Sequence, residues 1–101
     1  FSENSPDNFI ILSNFYSKEN KNGELTEDIR NLLKRINNFS GNENYQYFKC
    51  AKAAAICVKE IGLYGDKGDI PLLKCFSRNN SDSKYSTNEA KSAIISIIQR
   101  N

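Results

Sequence analysis

The chain contains no histidine, no tryptophan and no methionine among its 101 residues. The lack of histidine excludes imidazole acid/base chemistry, Ser/His/Asp and Cys/His nucleophile arrangements, and histidine-ligated metal. Proline and glycine are sparse, at 2 and 5, so little interrupts regular structure. No apolar run approaches the ~18 residues a membrane-spanning helix needs. An excess of one charge is also missing: 14 basic against 12 acidic residues give +2. A strongly basic nucleic-acid surface is therefore not the starting expectation, although a local stripe is compatible with that balance. The chain opens on Phe1 without a methionine. A fragment or processed form is expected on that ground, with any removed signal or neighbouring repeats outside it, and a cytoplasmic setting is the lean.

Three cysteines cannot all pair within the chain. Cys50 and Cys57 lie seven apart, on one face of a helix, and Cys75 falls in the next helical segment. Small, reduced, buried thiols are expected; a Cys57–Cys75 bridge is the alternative, which the spacing does not favour.

What the chain does contain is a segment that occurs twice. Ala51-Lys52-Ala53-Ala54-Ala55-Ile56 returns as Ala90-Lys91-Ser92-Ala93-Ile94-Ile95, 39 positions on. Upstream, Leu32-Leu33-Lys34 with Ile36 returns as Leu72-Leu73-Lys74 with Phe76, 40 positions on. A period near 40 is the length of a two-helix solenoid unit.

Five segments have helical periodicity, and no alternating, turn-flanked segment competes as a strand. Ser5-Pro6-Asp7 starts a first helix over about residues 6–18, carrying Phe9, Ile10, Leu12, Phe15 and Tyr16. A polar loop with Gly23 as breaker follows. Thr26 is placed as the cap of the second helix, whose stripe is Ile29, Leu32, Leu33, Ile36 and Phe39. Ser40-Gly41-Asn42 ends it. A third helix is expected over about residues 44–63, with Gly62 and Gly65 as terminators. Asp69 is placed as the cap of the fourth, with Pro71 in its first turn and Ile70, Leu72, Leu73 and Phe76 as its stripe. After the polar stretch from Arg78 to Lys84, a fifth runs over about residues 86–100, with Ala90, Ala93, Ile94, Ile97 and Ile98. The expected core is Leu32, Leu33, Ile36, Ala54, Val58, Ile61, Leu72, Leu73, Phe76, Ala93 and Ile97.

The stretch from Ala51 to Gly62 resembles the second helix of a HEAT-like, armadillo-type repeat of the short bacterial kind. Lys52 and Lys91 stand where that family usually has arginine. Gly68-Asp69-Ile70-Pro71-Leu72-Leu73-Lys74 resembles the turn and first helix of the following unit. The match is good from Ala51 to Ile98, moderate over Ile29 to Phe39 and weak before Thr26. The resemblance implies an all-α fold, an α-solenoid fragment of about five helices stacked as antiparallel pairs. The single domain then divides into a trailing or capping helix (5–25), a first repeat (26–65) and a second (66–101). Such folds usually display protein-binding surfaces, with the second helices lining the concave side. Bilin-lyase relatives and DNA-alkylation glycosylases belong to the same family, but the site residues of those activities are not found in this chain.

Several clusters bear on function. Asp66-Lys67-Gly68-Asp69 reads as a capping turn, since it lacks the ligand count of a calcium loop. Tyr45, Tyr47 and Phe48 beside Lys49 resemble a single-strand stacking platform, although packing at a helix start explains them more simply. Lys49, Lys52, Lys59 and Lys91 read as a solvated face or as a phosphate-binding stripe. Ile56 and Ile95 match across the 39-residue offset, at a position the family usually keeps polar and concave. Exposed there, they would form an apolar ladder; the alternative is that packing turns both inward. The expected partner-binding set is thus Ile56, Ile95, Lys52, Lys59 and Lys91. The expected function is a non-catalytic scaffold that binds another protein or a neighbouring domain, without cofactor or metal. Nucleic-acid or phosphate binding through the lysines is the alternative. The number of subunits is not legible.

Overall fold

The computed structural model describes residues 4–40, 47–79 and 84–100. Over these residues the chain is all-helical, with a radius of gyration of 12.4 Å and extents of 37 × 29 × 18 Å. Five α-helices follow in order: α1 (Pro6–Glu19), α2 (Thr26–Ser40), α3 (Tyr47–Tyr64), α4 (Ile70–Asn79) and α5 (Lys84–Arg100). Single 3₁₀ turns, Lys21–Gly23 and Lys67–Asp69, precede α2 and α4. The expected end of the second helix at Gly41-Asn42, the start of the third at Asn44 and the side chains of Tyr45, Tyr47 and Phe48 lie outside what is described.

Local chemistry sets most boundaries. Ser5 is the N-cap of α1, its Oγ accepting from the Asn8 N–H at 3.2 Å, with Pro6 in the first turn. The chain leaves α1 through Asn22 and Gly23, both in the left-handed region at φ 58° and 80°. Only glycine enters that region at no steric cost, which explains Gly23 as the breaker. Thr26 does not cap α2. It is the first helical residue, and its buried Oγ1 has no hydrogen-bond partner. The residue before it, Leu25, receives the local support instead: Asn20 Oδ1 accepts from its N–H at 2.6 Å.

The turn before α4 is a reciprocal capping box. Asp66 accepts from the Gly68 N–H at 2.9 Å, and Asp69 accepts from the Asp66 N–H at 3.1 Å. Asp69 therefore turns back rather than capping α4, and its buried carboxylate also binds Arg30 of α2 in a two-pronged ion pair, Nη2 to Oδ2 at 2.8 Å. Burial pushes the Asp69 carboxyl up, but hydrogen bonds from Arg30 and the Asp66 backbone outweigh it, and the group sits below the usual carboxylate range. The Arg30 guanidinium is correspondingly raised, chiefly by its hydrogen bond to Asp69. A depressed folded pKa stabilises the fold above the unfolded carboxylate pKa of about 3.9, and the gain is lost as pH falls through the folded value. Asp69→Asn is expected to lower stability by about 1.5–3 kcal/mol at neutral pH, in line with charged hydrogen bonds. Urea midpoints should converge with wild type in acid; a gap that persists at the lowest accessible pH would show that the pair does not carry the difference.

Helix α3 is the centre of the fold and packs against α1, α2 and α5; α4 packs on α5 and α2, and α1 also touches α2. The core comprises Phe9, Ile29, Leu32, Leu33, Ile36, Ala53, Ala54, Val58, Ile61, Leu73, Phe76, Ala93 and Ile97, among others. Phe9 meets Phe39 edge-to-face at 5.5 Å. Ten of the eleven expected core residues are buried, and Leu72 is half-buried. Its counterpart Leu32 is enclosed because α2 has α4 beside it, whereas among the described residues α4 has α2 and α5 as its main helical neighbours.

Two further expectations need correction. Gly62 does not end α3, which runs on to Tyr64. It is a point where α5 comes close: a Cβ on Gly62 would stand 2.9 Å from Ala93 Cβ and 3.0 Å from Ala93 Cα. The cysteines are all free, with Cys50 and Cys57 buried but Cys75 only half-buried. Burial pushes the Cys57 thiol up to about 12 and raises Cys50 as well, so neither is a thiolate at neutral pH.

Candidate protein-binding surface

Adjacent residues on a helix point 100° apart, so one of two neighbouring large apolar side chains can be left at the edge of the buried face, although Leu32 and Leu33 of α2 are both enclosed. Ile10-Ile11, Leu63-Tyr64, Ile94-Ile95 and Ile97-Ile98 are such pairs, all on α1, α3 and α5. The structure turns one member of most pairs outward. Among the described residues, every large aliphatic or aromatic side chain that stands well exposed lies on these three helices: Ile11, Phe15, Leu63, Tyr64, Ile95 and Ile98. Helices α2 and α4 present polar side chains outward, among them Glu27, Asp28, Lys34, Lys74 and Arg78.

On α3, Lys52, Ile56, Lys59 and Leu63 follow at spacings of four, three and four, forming one stripe. Lys52 and Lys59 are exposed, Ile56 is half-buried and Leu63 is 54% exposed. Beside the stripe, Lys59, Gly62 and Leu63 face Glu89, Ser92 and Ser96 of α5 across a hollow of about 140 Å³. Lys59 thus shares its surroundings with a carboxylate. Lys49, on the flank, pairs with Asp7 of α1 at 2.8 Å, an exposed contact of small energy.

Lys91 and Ile95 do not join this stripe. They line a separate groove of about 480 Å³ between α4 and α5, with Ala90, Ile94, Lys74 and Arg78. Burial shows why. Shifted by 40 residues, buried Cys50, Ala53 and Cys57 fall on buried Ala90, Ala93 and Ile97; shifted by 39, they fall on Glu89, Ser92 and Ser96, none of which is buried. The 40-residue register of α2 and α4 therefore extends through α3 and α5. Ile95 corresponds to Ala55, and Ile56 to Ser96. Lys91 corresponds to Ala51, and Lys52 to Ser92. The Ile56–Ile95 ladder is not formed, and the five expected residues divide into Lys52, Ile56 and Lys59 on one face and Lys91 and Ile95 in the groove. Leu63, Ile98, Ile11 and Phe15 were absent from the expected set; adjacent apolar residues occur in α2 and α4 as well, so the sequence carried no signal that singles these four out.

The interior polar groups are structural. Glu60, buried on α3, accepts from Ser17 Oγ at 3.1 Å and Asn20 Nδ2 at 3.0 Å, tying α3 to the end of α1. Arg100 donates to the carbonyls of Gly62 and Gly65, both at 2.7 Å. No helix among the described residues is long and apolar enough to cross a membrane. Comparison with family models, with curated proteins and with solved structures finds no match.

Proposed function

We propose that the chain is a non-catalytic α-solenoid module of the HEAT-like kind, whose α1/α3/α5 side binds another protein. One observation carries the reading: the large exposed apolar side chains of the described residues are confined to those three helices. Exposed apolar side chains with lysines nearby, as Leu63 has in Lys59, suit a protein interface with an apolar centre and a polar rim. The solenoid reading is supported by the 40-residue recurrence of burial and by the contacts of α3 with α5 and of α2 with α4. Each unit of such an array contacts chiefly its neighbours.

Affinity capture with the chain as bait tests this. Leu63→Asp, at an exposed position, is expected to weaken the captured interaction by about tenfold or more, as for a central interface anchor, with the thermal midpoint nearly unchanged. Ile56→Asp should weaken it too, at some cost in stability because the residue is half-buried. The alternative, phosphate or nucleic-acid binding by Lys52 and Lys59, predicts affinity for an oligonucleotide that falls steeply with salt. Undiminished capture by both variants, together with such oligonucleotide binding, would replace the protein-binding reading.

A further inference from the structure

The 40-residue register pairs residues of the α2/α3 unit with residues of the α4/α5 unit, and on one side the second set is consistently less covered than the first. Val58 is fully buried and its counterpart Ile98 is 54% exposed; Ala55 is 8% exposed and its counterpart Ile95 44%. Ala54 is buried and Ile94 half-buried; Leu32 is buried and Leu72 half-buried. The first unit is covered at these positions because α4 and α5 lie on it. The corresponding face of α4/α5 has no cover among the described residues, yet Ile94, Ile95 and Ile98 are larger and more apolar than the Ala54, Ala55 and Val58 they match. Isoleucine in place of alanine, twice, is not what a solvated end requires.

The charges say what would fit. Among the described residues, the ionisable groups lining the groove are Lys74, Arg78 and Lys91, with no carboxylate. None of the three forms an ion pair with a described residue. At the covered junction the arriving unit brings carboxylates: Asp69 binds Arg30, and Glu89 lies across the hollow from Lys59. A second copy of the chain docking symmetrically through this face would set Lys74, Arg78 and Lys91 against their own equivalents, which costs rather than gains.

We propose that the groove between α4 and α5 is a docking site for an acidic amphipathic helix of a partner protein. Its apolar stripe would lie on Ala90, Ile94 and Ile95, and its flanking carboxylates would meet Lys74, Arg78 and Lys91. The mode is helix-in-groove recognition. It rests on the protein-binding reading above but uses a different face from the α3 stripe.

The test uses two labelled synthetic peptides of about 18 residues, ~27 Å of helix, with the same leucine stripe. Glutamates flank the stripe in one and lysines in the other. Fluorescence anisotropy with the intact chain should show the acidic peptide binding about tenfold or more tightly at low salt, with the preference shrinking as salt rises. Ile95→Asp should abolish binding. Arg78→Glu with Lys91→Glu, at exposed positions that do not threaten the fold, should reverse the preference. Circular dichroism confirms that each variant is folded. Equal binding of both peptides, wild-type behaviour of the variants, or no binding by either peptide would overturn the proposal. Backbone NMR shifts that map the acidic peptide to Lys52, Ile56 and Leu63 would overturn it while leaving the protein-binding reading intact. Sedimentation showing self-association that Ile95→Asp removes would overturn it in favour of a second copy. Failure of the broader reading is seen separately, in the Leu63→Asp capture experiment.

Discussion

Phe76→Ala is expected to remove about 3–5 kcal/mol of stability, the usual cost of deleting a fully buried phenylalanine. Phe76 is completely enclosed on α4. This helix has only ten residues, with α2 and α5 as its main helical neighbours. Few other large side chains on it reach the core: Leu73 is fully buried, and Leu72 and Ile70 partly so. The cavity would open where α4 is held, and collapse around it is limited because α4 is already pinned at its start by Asp69 and Arg30. For a domain whose whole stability is of order 5–15 kcal/mol, the loss is a large share. Chemical denaturation should show the shift in midpoint with little change in slope. A shift below 1 kcal/mol would mean that α4 is not integral to the core.

Gly62→Val is expected to cost about 3 kcal/mol, by overpacking rather than by a cavity. Elsewhere in a helix, replacing glycine would stabilise, since glycine is about 1 kcal/mol worse than alanine in a helix interior. Here the new Cβ would meet Ala93 Cα, which is backbone and cannot rotate away. The α5 helix would have to move outward, drawing Arg100 off the Gly62 and Gly65 carbonyls. Ala93→Gly in the same chain should recover part of the loss. The double-mutant cycle measures this coupling directly, and strict additivity of the two changes would show that the close approach is not the cause.

The helices were legible where capping and stripe agreed. Ser5-Pro6 marked α1, and the Ile29, Leu32, Leu33 and Ile36 stripe marked α2, because a polar outer face leaves only one way to turn the helix. In α3 and α5 that constraint is weak. Alanine is compatible with either side of a helix, so the recurrence of Ala-Lys suggested an offset of 39, whereas burial follows 40. The one-residue difference rotates α5 by 100°. That rotation separates Ile95 from Ile56 and divides the expected binding set. Gly62 was misread for a related reason: glycine serves both as a helix terminator and where two helices nearly touch, and only the position of Ala93 decides between them. The half-burial of Leu72 was invisible to pattern because it depends on which helices pack beside α4, and among the described residues α2 and α5 are the main ones.

The contact of Arg100 with the end of α3 has a consequence for cooperativity. The last carbonyls of a helix have no partner within it, and at α3 two groups of that terminal region, Gly62 and Gly65, are bonded by a residue one helix pair later in the chain. The two units are thus more than stacked neighbours. If α5 peels away, α3 loses hydrogen bonds at its own terminus as well as apolar cover, so an opening that starts at the outer helix is transmitted inward. In linear arrays the strength of such links decides whether units melt one by one or together. A guanidinium spanning α5 and the end of α3 favours a single transition.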